Sequence, residues 1–90
     1  MANLKLEYYE GIATVSRARA TNVSTIILGE NHNLITGDTV TLSGLSGTGY
    51  NDDDVTVTVT NATTFTYANT GSNEGTTGDT GGLVLSLIHI

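Results

Sequence analysis

Three consecutive aspartates, Asp52, Asp53 and Asp54, precede a Val/Thr alternation in "GTGYNDDDVTVTVTN" (47–61). Clustered carboxylates are what a hard cation needs. A calcium loop of the EF-hand type also needs alternating oxygen ligands, a central Gly and a Glu at its twelfth position. "NDDDVTVTVTNA" has neither that Gly nor that Glu. In an extended chain successive side chains point to opposite faces, so Asp53 points away from Asp52 and Asp54. Three ligands then do not converge. The triplet reads as a hydrated turn tip, which also places charge where a strand edge could pair with another chain.

Other reactive residue types are sparse. His32, in "GENHNLITGD", and His89 have no second His and no Glu at metal-ligand spacing. Both read as loop or packing residues, and no metal site is expected. "GLSGTG" (44–49) superficially resembles a phosphate loop, but it lacks the Lys and no helical pattern follows. There is no G-x-S-x-G elbow. Without cysteine, thiol chemistry, thiolate-bound zinc and a disulfide framework are excluded. The residues predict no enzyme, no catalytic residue and no cofactor. Tyr8 and Tyr9 are adjacent and face opposite ways in a strand, so one can pack while the other meets a partner.

Charge narrows the partners. The net charge is −6, and the three basic residues, Lys5, Arg17 and Arg19, all lie in the first 19 positions. From residue 20 onward there are seven acids and no Lys or Arg. Such a surface repels phosphate backbones and anionic membranes, so neither nucleic acid nor membrane is an expected partner. The start lacks a cationic region followed by an apolar one, which predicts no signal peptide. The longest apolar-rich run, "LVLSLIHI" (83–90), is too short to span a bilayer.

The elements that must position these residues are strands. Most of the seventeen threonines alternate with apolar residues, a pattern that suits a half-exposed pleated surface. "TVTLS" (39–43) sets Val40 and Leu42 on one face. "DVTVTVT" (54–60) reads as one strand with Val55, Val57 and Val59 on one face, and "TTFTY" (63–67) groups Phe65 with Tyr67. Thr21-Asn22 can close a hairpin between "IATVSRARA" and "VSTIIL", and Asn61-Ala62 a second tight connection. No window of ten or more residues has a helical period. The prediction is one all-β domain over residues 1–90, a small antiparallel barrel or sandwich of about six to seven strands.

Two segments break this rhythm. Residues 69–82 form a Gly/Thr-rich polar loop with five glycines, either a flexible connection or an arm ordered by a partner. The C-terminal strand 83–90 is apolar on both faces: Leu83, Leu85 and Leu87 against Val84, Ile88 and Ile90. It is either a central core strand or a subunit contact. A 90-residue chain buries only about 60–65% of its unfolded surface, and unstapled domains of that size often gain stability by assembling. With Tyr8 and Tyr9, these six residues are the candidate interface.

The run from His32 to Gly71 resembles a pattern common in virion proteins of tailed bacteriophages. The matching residues are His32, Leu34, Gly37, Asp38, Val40, Leu42, Gly44, Tyr50, Asn51, Val57, Phe65 and Tyr67. The pattern is similar to the small β-barrel of the first catalytic-cysteine half-domain of ubiquitin-activating enzymes. It departs after Asn51, where the family usually has Gly and this chain has three aspartates. The resemblance implies a non-enzymatic structural protein of the virion: a capsid cement (head decoration) protein on the outer surface of the capsid. It would bind the major capsid protein and would itself be a homo-oligomer, a trimer. The alternative it implies is a tail, fibre or connector component that binds a glycan.

Overall fold

Alternation of Thr with apolar residues is expressed as strands throughout. In the computed structural model, which describes residues 7–89, eight antiparallel strands form one curled sheet, and the described residues contain no helix. The strands are β1 (Glu7–Ala20), β2 (Val23–Leu28), β3 (Thr39–Ser43), β4 (Asp52–Thr56), β5 (Thr58–Asn61), β6 (Thr64–Ala68), β7 (Glu74–Gly78) and β8 (Leu83–His89). Their order is β4-β3-β8-β1-β2-β6-β5, with β7 also on β1. The β4 and β5 ends of this order are consecutive in the chain, so the sheet must curl back on itself. The result is a half-barrel.

Two local differences raise the strand count above the expected number. The Val/Thr run divides at Val57 instead of forming one strand. There the Val57 N–H donates to Asp38 O and its carbonyl accepts from Gly37 N–H, both at 2.9 Å. The chain thereby leaves β3, where Val55 pairs with Val40, and joins β6, where Val59 pairs with Phe65. Val57 at this corner is fully buried, whereas Val55 and Val59 are half-buried. The second difference is in the segment expected as a loop. Residues 74–78 form β7 and pair with β1 of the same chain.

Strand β1 is the shared spine. Residues 7–13 pair with β8 and residues 16–19 with β7 along the same edge, while the other edge carries β2. Val15 is an extra residue in the β1–β2 ladder, since Thr14 pairs with Leu28 and Ser16 with Ile27. A bulge of this kind shifts the side-chain phase. Ile12 and Thr14 face inward before it, and Arg17 and Arg19 face inward after it. The β1–β2 turn is the expected one: Thr21 and Asn22 both have positive φ, +54° and +63°. That is the twist-matched two-residue hairpin, which Asn tolerates well.

The core is Ile12, Ile26, Leu28, Val40, Leu42, Leu45, Tyr50, Val57, Phe65, Tyr67 and Val84. Of the candidate interface residues, Val84 is in this core, Leu85 is half-buried and Leu83 is exposed. The backbones of Tyr8 and Tyr9 pair with Ile88 and Leu87. The side chains of Tyr8, Tyr9, Leu87, Ile88 and His89 lie outside the described residues, as does Ile90 altogether.

Candidate functional site

The bulge at Val15 sends two guanidinium groups into one end of the half-barrel, where Arg17 is 7% exposed and Arg19 8%. Buried charge is costly unless paired and hydrogen-bonded. Arg17 meets that demand with two carboxylates. Its Nε donates to Asp79 Oδ2 at 2.7 Å and its Nη1 to Glu74 Oε1 at 2.5 Å. These two carboxylates bracket β7, so a strand with no apolar side chain is docked by charge.

Asp79 also gathers the glycine-rich loop. The backbone N–H groups of Ser46 and Gly47 donate to Asp79 Oδ2 at 2.9 and 3.2 Å. Thr14 Oγ1 donates to the Asp79 carbonyl at 2.6 Å, and the Asp79 N–H donates to Val15 O at 2.9 Å. The run that superficially resembled a phosphate loop thus binds a carboxylate of its own chain. Leu45 and Tyr50 anchor the two ends of that loop in the core.

Tyr50 joins the parts. Its hydroxyl donates to Glu74 Oε1 at 2.6 Å. Its carbonyl accepts from the Tyr67 hydroxyl at 2.5 Å. The Arg17 and Arg19 guanidinium carbons lie 5.0 and 4.5 Å from its ring centroid, within cation–π range. Two glycines make room for this stack. A Cβ at Gly47 would collide with the Arg17 guanidinium and the Tyr50 ring, and one at Gly71 would collide with the Arg19 guanidinium.

Arg19 is bound differently. Its Nε donates to Ser72 O at 2.9 Å and its Nη2 to Thr48 O at 3.3 Å. Its Nη1 is buried with no partner among the described residues. Beside it opens a cleft of about 440 Å³, lined by Arg19, Thr48, Tyr50, Ser72, Asn73, Glu74 and the glycines 49 and 71.

The electrostatics fix the protonation states. Burial alone would raise the Asp79 carboxyl, but the Arg17 hydrogen bond and the two loop N–H groups outweigh it and hold it below its ordinary value of 3.8. Glu74 is held below 4.5, first by the Tyr50 hydroxyl and then by Arg17. Burial opposes the charge on Arg17, yet Asp79 and Glu74 more than offset that and raise it. Burial, reinforced by Glu74, pushes the Tyr50 phenol up, and burial pushes Tyr67 to about 12. None of these groups is set to exchange a proton near neutral pH. The cluster suits clamping and hydrogen-bond recognition.

A pH dependence follows with a definite sign. Carboxylates whose folded pKa is depressed contribute stability above their unfolded values of 3.8 and 4.5, and that stability is lost as pH falls through the lower folded values. Thermal stability should therefore hold from neutral pH down to about 5 and fall steeply below 4. A melting temperature unchanged between pH 6 and pH 3 would refute the clamp. On the alkaline side, the raised phenols lose their contribution as pH rises above 10 toward about 12.

The residues singled out by type fare differently. Asp52, Asp53 and Asp54 are all exposed. They do not alternate simply, because β4 carries an extra residue opposite Thr41 and Asp54 has φ +53°. Among the described residues, no three His, Cys, Asp or Glu side chains come together as a metal site. His32 is a packing residue. Its Nδ1 accepts from Leu34 N–H at 2.9 Å, so the ring proton sits on Nε2, which donates to Asn61 O at 2.7 Å. Its ring meets Phe65 edge-on at 6.2 Å.

Sequence reasoning did not single out Arg17, Arg19, Glu74 or Asp79. By simple alternation, Arg17 and Arg19 share the outward face of Ala13 and Val15, and only the bulge reverses that. One usable signal was scarcity: two of three basic residues stand two apart within a single strand of an acidic chain. No protein-family model matches the chain, and no curated protein matches it either.

Proposed function

We propose that this chain is a non-enzymatic structural protein of a tailed-phage virion, a cement protein that reinforces the joints between major capsid subunits from the outer surface of the head, as a trimer. The observation that carries the proposal is an elongated body with exposed apolar side chains. The body is 49 Å long and 22 Å across. On the outward side of β1 and β8, Val15 and Leu83 are 43% and 39% exposed, and Leu83 pairs with Ala13, two residues before Val15. An elongated body with exposed apolar side chains suits bridging of neighbouring subunits by interfacial burial. Two further features support it: the resemblance of residues 32–71 to phage virion modules, and a charge cluster devoted to holding loops in place.

The test is assembly on isolated heads. Adding the protein to capsid shells that lack it should raise their melting temperature, and electron cryo-microscopy should place it on the head exterior. A Val15→Asp/Leu83→Asp variant keeps the inward core intact but buries two unpaired carboxylates at the contact, so shell binding should weaken at least tenfold. Unchanged shell stability, or labelling of the tail alone, would overturn the head assignment.

A further inference from the structure

Strand β1 keeps one open stretch of edge among the described residues. In an antiparallel strand the N–H and C=O of one residue project to the same side, and successive residues alternate sides. The Thr14 N–H donates to Gly82 O, toward β8, and Ala13 O accepts from the Gly29 N–H, toward β2. Counting back by twos, Glu7, Tyr9 and Gly11 turn their backbone groups to the β2 side. The β2 pairing stops at Thr14, and no described strand pairs with that side of residues 7–12. Past Leu28 the chain turns away through Gly29, and Gly11, Ile12, Glu30, Asn31 and Asn33 line an open notch there. On the other side, β3 stops pairing with β8 at Ser86, so residues 7–9 and 87–89 continue as two strands only. A two-stranded ribbon is marginal in water, and an open edge is a template for another strand.

Symmetry and charge select the occupant. The open residues are spaced evenly about Tyr9, so a second copy running antiparallel can meet all of them at once: Tyr9 opposite Tyr9, Glu7 opposite Gly11 and Gly11 opposite Glu7. Each of these pairs exchanges both of its backbone hydrogen bonds. The same register sets Glu10 opposite Tyr8, so no carboxylate faces a carboxylate. Registers centred on Glu7 or Glu10 would oppose like charges, and one centred on Tyr8 carries Gly11 past the described strand of the second copy. Continued outward, the Tyr9 register brings Lys5 of the second copy opposite Ala13, whose carbonyl is held by Gly29, the neighbour of Glu30. Glu30 is exposed at the notch, and Lys5 is the only base besides Arg17 and Arg19. A foreign strand has no such reason to place a cation there. We propose that two copies of this chain pair edge to edge through β1, about a two-fold axis at Tyr9, with Lys5 of each against Glu30 of the other. The contact is self-complementary and closes at two copies. It does not rest on the virion reading, whose three-fold contact would use another surface.

The test is sedimentation equilibrium of the full chain and its variants. The wild type should return an even number of copies, and its melting temperature should rise with concentration. Tyr9→Pro removes an N–H that the β1–β8 ladder does not use, and proline is tolerated where a strand edge faces outward. This variant should stay folded by circular dichroism and halve the copy number. Lys5→Glu should weaken association about tenfold, and Lys5→Glu/Glu30→Lys should restore it, which a purely structural effect of either change would not do. Oxidised Tyr9→Cys should form a covalent dimer, since Cα atoms facing each other in a hydrogen-bonded pair lie about 5.5 Å apart, within disulfide reach. Glu7→Cys should not, because the two copies of residue 7 stand roughly four residues apart along the strands, about 13 Å. A monomeric wild type, an odd number of copies, association that survives Tyr9→Pro, no rescue by the charge swap, or equal cross-linking of Glu7→Cys and Tyr9→Cys would each overturn the proposal. A trimer unaffected by Tyr9→Pro would do so while leaving the virion reading standing.

Discussion

Replacing Asp79 by alanine should destabilise the domain by about 3–5 kcal/mol, the cost of breaking a buried ion pair from one side. The carboxylate is 4% exposed and serves three donors: Arg17 Nε and the N–H groups of Ser46 and Gly47. Without it, Arg17 keeps only Glu74, and the loop from Gly44 to Tyr50 loses its polar anchor. For a domain of this length the melting temperature should fall by more than ~12 °C. Amide exchange at Ser46, Gly47 and along β7 should accelerate beyond the rest of the chain. Two controls distinguish a charge clamp from a merely filled space. The gap between wild type and Asp79→Ala should close as pH falls through the folded Asp79 pKa, because protonation already removes the wild-type interaction. Pairing Asp79→Leu with Arg17→Met should recover part of the loss, since both charges then leave the interior together. An Asp79→Ala protein that melts within a few degrees of wild type at neutral pH would refute this account.

Phe65→Ala should cost a similar amount, about 3–5 kcal/mol, by a different route. Phe65 is fully buried in β6 and stands between Ile26 of β2 and Val59 of β5. Its ring also meets the edge of His32 and lies 6.4 Å from that of Tyr67. Deleting it leaves a cavity where the two ends of the curled sheet converge. Chemical denaturation should show a lower midpoint at an unchanged m-value if only packing is lost. Phe65→Leu should cost much less, because it conserves most of the volume. Unlike Asp79→Ala, the Phe65→Ala deficit should persist at low pH, which separates the two mechanisms in a single experiment.

These two residues also mark how far the sequence could be read. Phe65 was legible, because "TTFTY" alternates and the side-chain period of a strand places Phe65 and Tyr67 together. The hairpin at Thr21-Asn22 was legible for the same kind of reason: local chemistry dictates local geometry. Asp79 was not. It sits in "GDTGG", where every residue type favours a turn, and its role exists only because Arg17 arrives from 62 positions earlier. Arg17 in turn faces inward only because one extra residue, Val15, reverses the phase of β1. Strand β7, "EGTTG", has no apolar residue to announce it and is held by charges at both ends. The break at Val57 leaves no mark in the sequence because alternation continues unbroken across it; the bend is set by backbone bonds to Gly37 and Asp38. Periodicity reports what faces a sheet, and it is silent about where two distant segments share a counter-ion.

The shared spine has a temporal consequence. Strand β1 is made before all of its partners, and only β2 among them follows closely. The edge taken by β7 and β8 stays open until residues 74–89 have been made. Non-local pairing of this kind folds slowly, because loop closure must precede the contacts that reward it. During that interval Arg17 and Arg19 lack their carboxylate and carbonyl partners and remain hydrated. Burial of Arg17 thus waits on Glu74 and Asp79, and burial of Arg19 on the carbonyls of Thr48 and Ser72.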